Sequence, residues 1–181
     1  MPKCSVYIAT SVDGFIARPN GEIDWLERPE YATSPINGLT YEAFIATVDA
    51  LVMGRNTFEK VLTFGDWPYE GLSVVVLTSR PLDLPDALVG KVHITAGSPH
   101  TIVEHLAAEG KQHLYIDGGA TIQRFLQARL IDEITLTQIP TLLGSGIPLF
   151  GMTGLEQSLQ LIVATASANG MVQVRYQVIK D

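Results

Sequence analysis

The chain has 181 residues, 46% of them hydrophobic and 17% charged, with a formal net charge of −7 at pH 7 and a mean hydropathy of +0.21. That length suits a single domain, able to bury about 70% of its unfolded surface without help from a disulfide or a metal. The balance of 19 acidic against 12 basic residues argues against nucleic acid as the main partner, and no apolar run reaches the ~18–20 residues of a bilayer span. The N-terminus lacks a basic stretch followed by an apolar run and a cleavage site, and the lone Cys4 allows no internal disulfide. A cytoplasmic globule is the expectation.

The first apolar run, residues 4–10, predicts a strand. A long connection follows, marked by the turn dipeptides Asp13-Gly14 and Asn20-Gly21 and ending near Trp25; such loops often act as lids. Tyr41, Phe44 and Ile45 share a helix face within 40–47. Residues 49–53 predict a second strand, stopping at Gly54 with a helix from Asn56 or Thr57. Strands are also predicted at 73–78, 91–95, 113–116 and 133–139. Ser98-Pro99 caps a helix that Gly110 can stop, and Ile122, Phe125 and Leu126 form another apolar face after Gly119. Near the C-terminus, strand-like segments at 159–165 and 171–179 flank Asn169-Gly170, a tight hairpin signal. Continuous apolar runs such as Val74–Leu77 suit strands covered on both faces, so the class is α/β with a mostly parallel sheet and an antiparallel C-terminal hairpin.

Ligands of open α/β sheets bind at the carboxyl ends of strands, where helix N-termini offer free amides. Three such ends stand out. At Gly54-Arg55-Asn56-Thr57 a cation and a hydroxyl join a helix start, although Asn56 and Glu59 could equally form a capping box. At Asp117-Gly118-Gly119 two glycines let a pyrophosphate lie against bare backbone, or simply make a tight turn. At Thr78-Ser79-Arg80 hydroxyls and a guanidinium suit a ribose phosphate, or a surface turn before Pro81. The four histidines show no paired metal-ligand spacing, and no G-x-S-x-G elbow is present. Asp24 beside Trp25 is a carboxylate with an apolar neighbour, a setting that can raise its pKa; an exposed Asp24 next to a loop-anchoring Trp25 is the plainer alternative.

In order, IATSVDGFIA, GEIDWL, ALVMGRNTFE, VVVLTSR, YIDGGATIQRFL and EITLTQIPTLLGSGIPLFG resemble the dihydrofolate reductase-like superfamily, and more closely the stand-alone bacterial riboflavin-biosynthesis reductase (RibD C-terminal) domain proteins. The resemblance spans nearly the whole chain as one domain, 1–181. It implies a three-layer fold around a mixed eight-stranded sheet, with NADPH as hydride donor. Carried over by position, Ala9 and Ile16 would border the nicotinamide, and Gly54, Arg55, Asn56 and Thr57 would bind phosphates. Leu77, Thr78, Ser79 and Arg80 would hold the adenosine and its 2′-phosphate, and Gly118, Gly119, Ala120, Thr121 and Ile122 the pyrophosphate. Tyr7, Trp25 and Thr137 would face the substrate.

The acid of folate reductases has no aligned counterpart, because an insertion near 29–38 breaks the register. Asp24 and Glu30 lead the candidates, with Glu42 and Asp66 behind them. Ile122 stands where folate reductases often carry a tyrosine. The implied activity is NADPH-dependent reduction of a pyrimidine or pterin-like substrate, foremost 5-amino-6-(5-phosphoribosylamino)uracil. That substrate's own phosphate would need a cation such as Arg18, Arg28 or Lys60. Dihydrofolate reduction is the alternative, and an NADPH-binding protein with neither activity is a third reading. Relatives often pair as homodimers, which the apolar, glycine-rich 142–150 segment would permit, as would its burial within the monomer.

Overall fold

An eight-stranded sheet runs through the computed structural model, which describes residues 1–32, 35–151 and 153–180. In chain order the elements are β1 (Lys3–Ser11), β2 (Phe15–Ala17), α1 (Pro29–Ala32), α2 (Tyr41–Ile45), β3 (Ala50–Gly54), α3 (Arg55–Leu62), β4 (Ser73–Leu77) and β5 (Val92–Thr95). They continue with α4 (Pro99–Ala108), β6 (His113–Asp117), α5 (Gly119–Gln127), β7 (Glu133–Ile139), β8 (Ile147–Pro148), β9 (Leu159–Ala166) and β10 (Val172–Val178). The sheet order is β5-β4-β3-β6-β1-β7-β10-β9. Neighbours from β5 to β7 run parallel, and β10 is antiparallel to both β7 and β9. No helix among the described residues is long and apolar enough to cross a membrane.

Side chains alternate across this sheet, and each face buries its own half of the apolar sequence. Val6, Val52, Val75, Leu114 and Ile116 point to one side, under Ile102, Val103 and Leu106 of α4 and Ile122, Phe125 and Leu126 of α5. Leu51, Met53, Val74, Val76 and Tyr115 point to the other, under Phe44 of α2 and Phe58 of α3. Burying such a side chain contributes about 1.5–3 kcal/mol, so covering both faces accounts for the unbroken apolar runs. Cys4 is wholly buried in β1, and burial pushes its thiol up to about 12, which makes it an inert packing group.

The predicted Ser98 cap and the C-terminal hairpin turn are in place. Ser98 accepts a hydrogen bond from the Thr101 N–H at 3.2 Å, and Gly170 turns the β9–β10 hairpin with φ +86°. Two strands went unpredicted: β2 and β8, three and two residues long, pair with each other beside the main sheet. Elements so short carry no periodicity to read. Within the 142–150 segment, Leu149 is buried in the core beneath α5, whereas Leu142 and Phe150 stay exposed.

Two glycines fix how the strands hand over to their helices. A Cβ on Gly54, at the end of β3, would lie 3.0 Å from Thr121 Oγ1 of α5, and one on Gly118, after β6, would overlap Thr57 Oγ1 of α3. Each βα turn thus rests on a threonine of the other turn's helix. Gly118 also holds φ +90°, which side-chain-bearing residues rarely adopt. Gly118→Ala is expected to lower stability by about 2–4 kcal/mol, from backbone strain and the Thr57 overlap together. Gly14→Ala, with a similar φ of +85° and nothing within 4 Å, should lose only about 1 kcal/mol. Urea denaturation of the two variants checks this, and equal losses would mean that the Thr57 contact is slack.

Candidate active site

The crossed turns place the N-termini of α3 and α5 side by side at the carboxyl ends of the central strands. Their N-cap residues, Gly54 and Gly118, make no side-chain capping bond, so the first-turn amides keep free donors. The alternative capping box between Asn56 and Glu59 is not formed, because the helix already starts at Arg55 with Gly54 as its N-cap, and Glu59 Oε1 accepts instead from Arg55 Nε at 2.6 Å. A cavity of about 920 Å³ opens over both helix starts. Gly54, Arg55, Asn56 and Thr57 line it from α3, and Gly118, Gly119, Ala120 and Thr121 from α5. The Ile16 side chain packs closely there: a Cβ on Gly119 would lie 2.9 Å from Ile16 Cδ1. Ala9, Ile16 and Leu77 also line this side.

The inner wall holds a group that reading passed over. Asp117 ends β6 on the same face as Tyr115, and its Oδ1 accepts the Gly118 N–H at 2.8 Å. Four tyrosines line the cavity with it: Tyr7, Tyr41, Tyr69 and Tyr115. Phe44 packs them together, its ring centroid 4.9 Å from Tyr7 and 5.0 Å from Tyr115, while Tyr7 and Tyr41 meet edge-on at 5.7 Å. Two hydroxyls are anchored: Tyr7 donates to Leu39 O at 2.8 Å and Tyr115 to Tyr7 O at 2.9 Å. Burial raises the Asp117 carboxyl from 3.8 to about 6. Burial, followed by the nearby Asp117 charge, pushes Tyr41 up to about 12 and raises Tyr69 and Tyr115 further, so the wall presents neutral hydroxyls around one titratable acid. The signal in the sequence was the lone charged residue closing the apolar strand HLYI, two places beyond Tyr115. It read instead as the first residue of a glycine turn.

Several expected residues lie elsewhere. Asp24 does not line the cavity; Arg18 grips it through two hydrogen bonds, Nε–Oδ1 at 2.6 Å and Nη2–Oδ2 at 2.9 Å. That guanidinium lowers the Asp24 carboxyl below its ordinary value, so the plainer alternative, an exposed Asp24 next to a loop-anchoring Trp25, is the one the structure shows. Glu30 is exposed in α1, and neither it nor Glu42 nor Asp66 reaches the cavity lining. Trp25 is fully buried against Ile139 and Met171, so it anchors the loop instead of facing a ligand. Thr137 is buried in β7, where its Oγ1 accepts from Gln173 Nε2 at 3.2 Å. Gln173 also holds Leu39 at both ends, accepting from its N–H at 2.8 Å and donating to its carbonyl at 3.0 Å. Ile122 packs in the core beneath the cavity. Thr78, Ser79 and Arg80 form a turn just outside the lining, where Thr78 Oγ1 accepts the Arg80 N–H at 3.1 Å. Arg55 ties this turn to α3 by donating from Nη1 to Pro81 O at 2.9 Å.

The RibD C-terminal domain family model matches residues 2–173. The uncharacterized protein YwjB of Bacillus subtilis (strain 168) is 38% identical over 177 residues, which cover 96% of this chain and 97% of YwjB. Among solved structures, a candidate riboflavin biosynthesis protein of Shewanella sp. PV-4 is 39% identical, with a TM-score of 0.87 and coverage of 98% of this chain and 99% of that one. The diaminohydroxyphosphoribosylaminopyrimidine deaminase/5-amino-6-(5-phosphoribosylamino)uracil reductase of Thermotoga maritima shares the fold at 16% identity, with a TM-score of 0.68. The match covers 98% of this chain and 57% of the T. maritima chain.

The raised Asp117 carboxyl sets a pH signature. The native state holds its proton up to about 6 and the unfolded chain only to about 3.8, so stability falls as pH rises through that window. Asp117→Asn removes the cost of ionisation. Its gain in stability over the parent is expected to be negligible below pH 3.8 and to reach about 1–3 kcal/mol above pH 6, measured by urea midpoints across the range. A pH-independent difference would place the carboxyl in open solvent.

Proposed function

The chain belongs to the RibD C-terminal domain family, and on that premise we propose that it is an NADPH-dependent reductase of a pyrimidine or pterin-like heterocycle. One observation carries the proposal: a single cavity joins two uncapped helix N-termini to a partly buried carboxyl group ringed by tyrosines. The dinucleotide fits the residues present. Free amides at the starts of α3 and α5, both lining the cavity, suit a pyrophosphate. Arg80, on the turn held by Arg55, is the group proposed to meet the 2′-phosphate.

Bound NADPH would supply a hydride. The reduction of a C=N bond also consumes one proton, and Asp117, a lining carboxyl raised to about 6, is the group proposed to relay it to the substrate. The loop after β2 closes one side of the cavity with Pro19, Gly21, Ile23 and Leu26, while Trp25 anchors it, and this shields the reacting atoms from water. Cytoplasm is the matching location for a chain with one buried, inert thiol.

Loss of NADPH absorbance, with an aminopyrimidine nucleoside or its 5′-phosphate and separately with dihydrofolate, tests the activity. Oxidation with the pyrimidine is expected, and Asp117→Asn should lower kcat by about 10²–10⁴-fold while NADPH still binds. Arg80→Ala should weaken NADPH far more than NADH. NADPH binding with no oxidation by any of these compounds would leave a binding protein and overturn the reductase reading.

We also propose a homodimer. Strand β9 is a sheet edge without a charged residue, and Leu159, Leu161, Ile162 and Val163 are each at least 40% exposed. Such an edge offers unpaired backbone groups beside apolar surface, which a second copy can cover by two-fold antiparallel pairing. Ile162→Lys should sediment as a monomer where the parent is dimeric. A dimer that persists in the variant would point to another interface.

A further inference from the structure

Charge around the cavity is balanced but unevenly placed. Its basic lining residues are Arg55, Lys60 and Arg124, and its acidic ones are Glu22, Glu59 and Asp117. Arg55 stands at the start of α3, held by Glu59 and the Pro81 carbonyl. Arg124 lies on α5, donating from Nη2 to Gly97 O at 2.9 Å. Arg55 thus flanks a helix start assigned to the dinucleotide, and Arg124, in the last turn of α5, is engaged by the Gly97 carbonyl.

Only Lys60 remains among the lining cations, and it is engaged: its Nζ lies 2.9 Å from Glu22 Oε2, bridging α3 to the loop after β2. The next cation along that loop, Arg18, is held by both oxygens of Asp24 and lies outside the lining. The inner wall itself consists of Asp117 and the hydroxyls of Tyr7, Tyr41, Tyr69 and Tyr115, with no cation among them.

A phosphate ester carries close to two negative charges and is held by Arg, Lys or free helix amides. At the tyrosine wall it would meet the Asp117 carboxylate with nothing to neutralise it. At the rim it would have to take Lys60 from Glu22. A carboxylate among tyrosines suits the opposite chemistry: ring N–H and amino groups that donate to it, on a flat ring that packs against aromatic edges.

We infer that the substrate half of this cavity takes an unphosphorylated amino-heterocycle, an aminopyrimidine nucleoside or a pterin, with its N–H donors directed at Asp117 and the tyrosine hydroxyls. This rests on the reductase reading of the site, and differs from it in removing the phosphate carried by the phosphoribosylamino-uracil substrate of the T. maritima protein.

The test titrates a matched pair, 5-amino-6-(ribosylamino)uracil and its 5′-phosphate, into the NADPH complex of the full chain by calorimetry, and follows NADPH oxidation separately. The unphosphorylated compound is expected to bind at least about tenfold more tightly. Glu22→Gln releases Lys60 and should narrow that gap by strengthening the ester more than its partner. An ester that binds as tightly as the unphosphorylated compound, or tighter, overturns the inference, and so does failure of both to bind. A gap that Glu22→Gln leaves unchanged removes charge as its cause and overturns it too. The predicted binding order without any NADPH oxidation would instead uphold the inference and overturn the reductase reading.

Discussion

The site depends on a reciprocal contact: Gly54 against Thr121, and Gly118 against Thr57. Each strand-to-helix turn can come close to its neighbour only because it has no Cβ, and each threonine fills the space the other turn leaves. The result is two helix N-termini, from α3 and α5, set against one another with their amides free. A chain of net charge −7 thereby presents a local positive potential built largely from backbone. Everything else in the cavity is arranged around that fixed pair of turns.

How legible these parts were in the sequence follows from how each is held. The long strands could be read because both faces are buried, which forces unbroken apolar runs such as Val74–Leu77. The α3 and α5 starts could be read because glycine at a strand end has few other uses. The strands β2 and β8 could not, since their pairing depends on tertiary contact alone. The carboxyl lining the cavity was hidden for a related reason. Asp24 was judged by its sequence neighbour Trp25, yet its energetics are set by Arg18 six residues away, which a neighbour-by-neighbour reading does not see. Asp117 was passed over because a residue that ends a strand and also begins a glycine turn shows only its turn character. Thr137 and Ile122 were carried over by position, and the fold spends both on packing.

The loop after β2 shows a second economy of charge. Arg18 pairs with Asp24 within the loop, and Glu22 reaches across to Lys60. These partly exposed pairs contribute little to stability singly. Together with the burial of Trp25 they give the loop a defined position over the cavity, and they leave Arg18 and Lys60 occupied.

Gln173 gives the molecule a mechanical link between its two halves. This one side chain of β10 clasps both backbone groups of Leu39, the same residue whose carbonyl receives the Tyr7 hydroxyl. Leu39 leads directly into α2, which carries Tyr41 to the cavity wall. The antiparallel hairpin, which lends no residue to the cavity lining, therefore sets the stance of an aromatic ring that does. Any load borne by the free edge of β9 passes to β10 through their shared ladder, and from there, through the Gln173 amide and beside the hairpin's bonds to Asn37, toward the wall where a ligand would rest.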